Sequence, residues 1–430
     1  MRKRNRLFRL VAVLFTLSLM AAACGRDDDD DAATETTEGD GGGGEPQAGP
    51  GFDGTTIRVG VVTPQTGPVS IIGNPVTNGN DVFFKYVNDE LGGIAGKYQV
   101  EMVVVDSKYD PNTGVQQYGA IKNDVVMFAQ LLGTPIVTAL LPQLTQDNIV
   151  AAPASLDAFW VREQNLLPIG GPYQIQAINA FDWYLNEGDG EGKVICTAIH
   201  DDPYGEAGQA GVDFAADEMG FEIATTARFK ATDTDFTAPV QQLQAEGCEA
   251  VFLVATPTTA GGIMGKAATV DYAPQWIGQS PTYIGAFLQS PLLPYLQQNY
   301  LIASEGTEWG DESVVGMQQM VGHVATYAPD QQPDPYFAFG YGQAWAVTQV
   351  LEKAAELGDF SREGIVEAMN SIEALEFDGL FATYPYGPPE DRDPPRVSTI
   401  FAVDPAVPGG LKVVERGIES DAADAFEFEG

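Results

Sequence analysis

The chain is poor in the residues that carry out chemistry. Two histidines and three cysteines stand among 430 residues, and Lys plus Arg number 22 against 60 Asp plus Glu. With only His200 and His323 to act as a base, a nucleophile–base–acid hydrolase has little to be built from. The stretch Gly278-Gln279-Ser280-Pro281-Thr282 has the outline of a nucleophile elbow but lacks its closing glycine. A Walker lysine motif is missing and no Gly-x-Gly-x-x-Gly turn follows an expected strand, which removes the usual nucleotide-binding motifs. His200 beside Asp201 and Asp202 is one histidine with adjacent acids, the make-up of a loop rather than of a coordinating shell. The expectation is a protein without catalytic residues, metal or cofactor. Scarce bases leave a formal charge of −38, which repels nucleic acid and anionic headgroups, so neither is expected as a partner.

What is present begins at the N-terminus. Arg2, Lys3, Arg4, Arg6 and Arg9 precede an apolar run over residues 10–23, interrupted by Thr16 and Ser18. The run is too short for a spanning helix, which needs about 20 apolar residues, and ends in Ala21-Ala22-Ala23 before Cys24. Residues 1–23 therefore read as a secretory signal peptide. Ala-Ala-Ala-Cys resembles the bacterial lipobox, with Ala21 where leucine is usual, which makes Cys24 the expected site of lipidation. From there to residue 54 the chain is acidic and glycine-rich, including Asp27 to Asp31 and Gly41 to Gly44, with almost nothing to bury: a solvated tether. Cys196 and Cys248 remain in an oxidising compartment that permits a bridge. Both fall in or beside expected strands at different heights, and two unpaired thiols are expected.

The remaining body, about 370 residues, is long enough for two domains. Residues 56–63 form a β-branched run; after a Gly/Pro-rich loop, Val82, Phe83, Tyr86, Val87 and Leu91 share one helical face, and Gly92-Gly93 stops that helix. A strand over 98–106, a helix capped by Asp110-Pro111, a strand over 125–132, a helix opened by Pro135 and a short strand over 149–152 continue the alternation. A second series after Pro172 repeats it: helix to 186, strand 193–200, helix 206–219, strand 221–229, helix 237–245, strand 250–255. Such alternation forces parallel sheets covered by helices, hence an α/β fold of two doubly wound lobes. Helices over 313–328, 336–357 and 361–372, and short strands near Phe381, Val397 and Leu411, are too few for a third domain. They are expected to return and complete both lobes, so that the connections form a hinge and leave a cleft between the lobes.

These residues also carry a resemblance. Thr56-Ile-Arg-Val-Gly-Val-Val-Thr-Pro-Gln-Thr-Gly-Pro, Gly73, Asn78-Gly79, Val87-Asn88, Gly92-Gly93-Ile94, Asp106, Asp110-Pro111 and Gly133-Thr134-Pro135 resemble, in order and spacing, the Leu/Ile/Val-type periplasmic binding proteins of ABC importers. Asp201-Asp202-Pro203-Tyr204-Gly205, the stretch 232–236, the stretch 248–253 and Phe339-Gly340-Tyr341 with Ala344 continue the likeness, which runs from about Thr55 to about Val414. The resemblance implies two Rossmann-like lobes joined by three crossovers, an amino acid or similar ligand (branched-chain or related), and a permease with its ATPase subunits as partners of a monomer. On this basis lobe I takes residues 55–171 plus 303–384, lobe II takes 172–302 plus 385–420, and 421–430 is a tail. A sensor of the same fold, reporting an amide, urea or organic acid to a signalling partner, is the alternative.

Ligands of open parallel sheets bind beyond the carboxyl ends of the strands, where helix N-termini aim free N–H groups. Thr134, Thr138 and Ser155, with Ala154 beside it, are matched to the family by motif as a carboxylate grip; each is equally a candidate helix cap. Tyr204 corresponds to an aromatic that the family lays against its ligand, and Asp202 is placed to receive an ammonium group. Ile72 and Thr256 stand where the family often has an aromatic, and Ser280 lies near the usual place of an acid. A buried ammonium needs a counter-charge, so either Asp202 supplies it or the ligand has no ammonium.

Overall fold

The computed structural model describes residues 46–429, so the expected signal peptide, Cys24 and most of the tether lie outside it. Strand and helix alternate from the start: β1 (Thr56–Thr63), α1 (Ser70–Asp89), β2 (Gln99–Asp106), α2 (Pro111–Ile121), β3 (Met127–Leu132), α3 (Thr134–Asp147) and β4 (Ala151–Ala154). The four strands make an all-parallel sheet in the order β2-β1-β3-β4. Helices cover it, which is why β3 is buried at every residue and is apolar except for Gln130. Helix α1 begins at Ser70, well before the expected 80, because Pro75 lies inside it rather than in a loop. One missing N–H is offset by burial of Ile72 and Val76 on the added turns.

The second series is α4 (Tyr173–Asn186), β5 (Ile195–His200), α5 (Pro203–Met219), β6 (Ile223–Phe229), α6 (Thr237–Ala245), β7 (Ala250–Val254), α7 (Pro257–Thr269), β8 (Gln275–Gln279), α8 (Leu293–Asn299) and β9 (Tyr300–Ser304). Then come α9 (Val315–Tyr327), α10 (Pro335–Leu357), α11 (Arg362–Asn370), a small hairpin of β10 (Ala374–Leu375) and β11 (Tyr384–Pro385), the strands β12 (Ser398–Val403) and β13 (Leu411–Ile418), and α12 (Asp421–Ala425). The second sheet has the order β13-β12-β9-β8-β7-β5-β6. Its strands β5 to β9 are parallel, while β12 runs antiparallel to both β9 and β13. The chain thus leaves the first sheet after β4, returns to its side after β9, and crosses again before β12. Two α/β lobes joined by several crossings are what the alternation forecast.

Helices α9, α10 and α11 complete the first core, which joins α1 and the β1 and β3 strands to Phe337, Tyr341, Val347 and Leu351. The contact of α1 with α10 is backbone to backbone: a Cβ on Gly79 would lie 2.2 Å from the Phe337 carbonyl oxygen, and one on Gly340 would lie 1.9 Å from that of Val76. Only glycine at both points allows the crossing.

The two body cysteines correct the expectation of free thiols. Cys196 and Cys248 form a disulfide, with Cα atoms 5.8 Å apart. Strands β5 and β7 are neighbours with Cys196 opposite Val251, and the turn through Gly247, at φ +69°, carries Cys248 back beside the strand. The difference in height judged from sequence disappears in that turn.

Candidate functional site

Four helix entries on the cleft side, those of α3, α5, α7 and α10, are built by the same local rule. A short polar residue or glycine ends the strand or loop, and proline takes the first or second helical position where its missing N–H costs nothing. Asp202, the cap of α5, accepts the N–H groups of Tyr204 and Gly205 at 2.9 and 3.1 Å. A Cβ on Gly205 would lie 1.8 Å from the His200 carbonyl oxygen, so the helix abuts β5 and Tyr204 is fixed at its first turn. On the other lobe Gly133, at φ +107°, makes the reversal from β3 into α3 that places Thr134 at a helix N-terminus.

These entries surround a cavity of about 140 Å³ between the lobes. Thr134, Ser155 and Ala154 line one end with Tyr109, Tyr173 and Tyr204. The Thr134 and Ser155 hydroxyl oxygens are 2.7 Å apart, and the Trp160 indole N–H donates to Ser155 Oγ at 3.0 Å. Thr256, Ser280 and Pro281 add the second lobe's wall, Ser304, Glu305, Thr307 and Tyr336 add a further polar stretch, and an apolar run passes from Val69, Ile72, Val76 and Leu132 to Met317, Phe339, Leu380 and Phe381. No lysine, arginine or histidine lines it, and Glu305 is its one carboxyl.

Seven of the nine positions singled out from sequence, Ile72, Thr134, Ala154, Ser155, Tyr204, Thr256 and Ser280, thus come to one cavity. Thr138 and Asp202 do not line it. Thr138 donates its hydroxyl to the Thr134 carbonyl one turn earlier, at 2.8 Å, and Asp202 is occupied in capping. His200, fully buried, pairs through Nε2 with the Thr259 hydroxyl at 2.8 Å and lies 3.6 Å from Asp202 through Nδ1.

The lobes also touch directly. Tyr336 of α10 donates to carbonyls beyond β8, those of Pro281 and Tyr283, at 2.9 and 2.8 Å, and Thr258 of α7 donates to Pro68 at 3.2 Å. The cleft is therefore closed at its rim. Over residues 56–406 the sequence matches the family described as Periplasmic binding protein.

The chain belongs to that family. A fatty acid ABC transporter substrate-binding protein from Thermomonospora curvata is similar in structure, with a TM-score of 0.83, 26% identity, and coverage of 89% of this chain and 97% of that one. A branched-chain amino acid ABC transporter protein from Thermus thermophilus, with bound valine, shares the fold at a TM-score of 0.73, 16% identity, and coverage of 86% and 98%. The leucine-binding protein from Thermotoga maritima does so at 0.69, 15% identity, and coverage of 85% and 99%. No curated protein matches the sequence.

Within this periplasmic binding protein, several cavity residues had no expectation attached. Tyr109 sits in the loop after β2, where it and Lys108 both adopt left-handed backbone, at φ +58° and +55°. Two such non-glycine residues cost on the order of 1–3 kcal/mol each, and the strain turns the tyrosine ring against Gly133 and the cavity. Burial pushes its phenol pKa well up, so it stays a hydrogen-bond donor. Tyr173 and Tyr336 were visible as a helix start and an aromatic beside Asp334-Pro335, but nothing local aims them inward. Glu305 follows β9, a strand absent from the sequence reading. Among the described residues no helix is long and apolar enough to cross a membrane, and no cluster of acids, histidines and cysteines has the make-up of a metal site.

The crossings themselves are tied by arginines. Arg392, 1% exposed, donates to the carbonyls of Val161, Glu163 and Leu166, and Arg162 donates to those of Pro389, Arg392 and Phe428. First and third connections are so laced together, with the C-terminal segment bound to them.

Proposed function

We propose that this protein is the solute-binding component of an ABC importer and that its lobes close on a monocarboxylic acid with an apolar chain, without making or breaking a covalent bond. One observation carries the ligand class: the cavity has hydroxyls at a helix N-terminus on one side, a continuous apolar run from Val69 and Ile72 to Leu380 and Phe381, and no lysine, arginine or histidine. A helix N-terminus with hydroxyl donors suits a carboxylate, and the apolar run suits a hydrocarbon chain. The 26% identity to a protein titled for fatty acid transport supports the same reading.

The rest follows the sequence. Residues 1–23 direct export and Cys24 takes the lipid, so that the acidic stretch to residue 54 tethers the two lobes, 55–171 plus 303–384 and 172–302 plus 385–420, outside the membrane as a monomer. The closed form presents its outer faces to a permease. A ligand shifts closure by no more than its preference for the closed state.

A second reading, an amino acid of the branched-chain kind, is favoured by one residue: Glu305 offers a carboxyl that would accept from an ammonium group. A thermal-shift screen separates the two. Straight and branched alkanoates of four to eight carbons, at 100 times their dissociation constants, are expected to stabilise the protein by about 2.7 kcal/mol, while the matching α-amino acids leave its Tm unmoved. Stabilisation by leucine or valine and by no alkanoate would reverse the assignment.

A further inference from the structure

Glu305 is placed where ligand and hinge meet. It follows β9, lines the cavity, and accepts the N–H of Gly171 on the first crossing. Gly170, at φ +73°, approaches so closely that a Cβ there would lie 2.2 Å from Oε2, and the third crossing supplies the Pro395 and Val397 carbonyls, each 3.5 Å from a Cβ position on Gly171. The carboxyl, itself at the start of the second connection, thus touches the first, and the third packs against the same Gly171.

Its surroundings offer one donor and no cation. Tyr173 of α4 faces it, with a phenol that burial keeps protonated. Asp334, at the head of α10, is turned to the N–H groups of Tyr336 and Phe337. From the third crossing Arg396 donates to the carbonyls of Ala423 and Phe426 and lies over the Phe428 ring, while Arg162 and Arg392 are committed to carbonyls. An enclosed carboxyl with a single N–H partner avoids ionisation, and burial pushes Glu305 up to about 8. In the neutral form it has an O–H to give; ionised, it has none and turns a negative charge toward the cavity.

The hydroxyl end has a matching polarity. Trp160 donates into Ser155, and Thr134 and Ser155 share one hydrogen bond in which either hydroxyl can be the donor, so one of their two protons is left for an incoming acceptor. A ligand carboxylate seated there needs a second donor rather than a second anion.

We infer that Glu305 keeps its proton and donates it in a hydrogen bond to the carboxylate of the ligand, making capture of an acid by this cleft dependent on proton concentration. The inference rests on the alkanoate reading above. No bond to carbon changes: the proton stays shared between two carboxyls and is released with the ligand or as pH rises.

The test is calorimetric titration with sodium hexanoate and with hexylamine from about pH 6 to about pH 9.5, a range in which hexanoate stays ionised. On the wild-type protein hexanoate affinity is expected to be level at the acid end and to fall about tenfold per pH unit once Glu305 ionises, above about 8. Glu305→Gln, whose amide donates at every pH while still accepting from Gly171, is expected to give a flat profile. A flat wild-type profile with hexanoate bound would overturn this inference and leave the ligand class standing. Hexylamine binding more tightly than hexanoate at the acid end would also overturn it, since Glu305 would then be ionised there and acting as a counter-ion. Failure of every alkanoate to bind at any pH would remove both. The wild-type profile decides even if the variant does not fold.

Discussion

At the scale of single residues the cavity is a set of donors with few acceptors. The Thr134 hydroxyl sits 1% exposed at the start of α3, so replacing it with the isosteric valine removes one donor and little volume. Thr134→Val is expected to weaken alkanoate binding by about tenfold, as one lost hydrogen bond of about 1–1.5 kcal/mol requires, with a change in Tm small enough to show that folding is intact. Calorimetry and a melting curve check the two halves of that statement. Thr134 was legible in the sequence because Gly-Thr-Pro announces a strand end, a reversal and a helix start in three letters. Tyr109 and Glu305 were not. Tyr109 reaches the cavity through two consecutive left-handed residues that no propensity favours, and Glu305 gains its setting from glycines far away in the chain. Asp202 was read as a partner for an ammonium group, but an aspartate one residue before proline is already the acceptor of two helix N–H groups. Local capping and long-range binding draw on the same few side chains, and sequence alone does not divide them.

At the scale of elements the informative feature is the X-Pro start. Asp110-Pro111, Thr134-Pro135, Asp202-Pro203, Thr256-Pro257 and Asp334-Pro335 each open a helix. The first three mark helices or an aromatic in the sequence reading, whereas Asp334-Pro335 and Thr256-Pro257 carry no such expectation. Burial of Thr259, Ala260, Ile263 and Met264 makes the latter the start of helix α7. The glycine crossing of α1 with α10 leads to a prediction of the same scale. Gly340→Ala forces a methyl group against the Val76 carbonyl, and the helices must separate. A loss of about 1–3 kcal/mol is expected, read as a lower urea midpoint. Because Val76 lines the cavity, alkanoate affinity is expected to fall with it. An unchanged midpoint would mean that the crossing is looser than the distances imply.

At the scale of the whole molecule, two lobes followed from alternation alone, but their late segments did not sort themselves. The strands near Val397 and Leu411 were visible as short apolar runs, yet their antiparallel place at the edge of the second sheet depends on pairing with β9. The disulfide belongs at this scale too, since it closes a loop with a sequence separation of 52. Replacing both cysteines with serine is expected to cost about 2–4 kcal/mol. Neither cysteine lines the cavity, so affinity for the ligand should persist below the lowered Tm; a variant that melts as the parent does would mean that the bridge constrains little.

The lacing of the crossings by Arg162 and Arg392 has a consequence for where such a protein works. In a chain whose acids outnumber its bases so heavily, a hinge fastened by carboxylates would slacken in brine and stiffen in fresh water. These guanidinium groups grip peptide oxygens instead, which neither titrate nor carry net charge for dissolved ions to shield. These fastenings of the swivel are thereby insulated from salinity and acidity, so that what changes when the two halves meet is left to other groups and to the bound molecule.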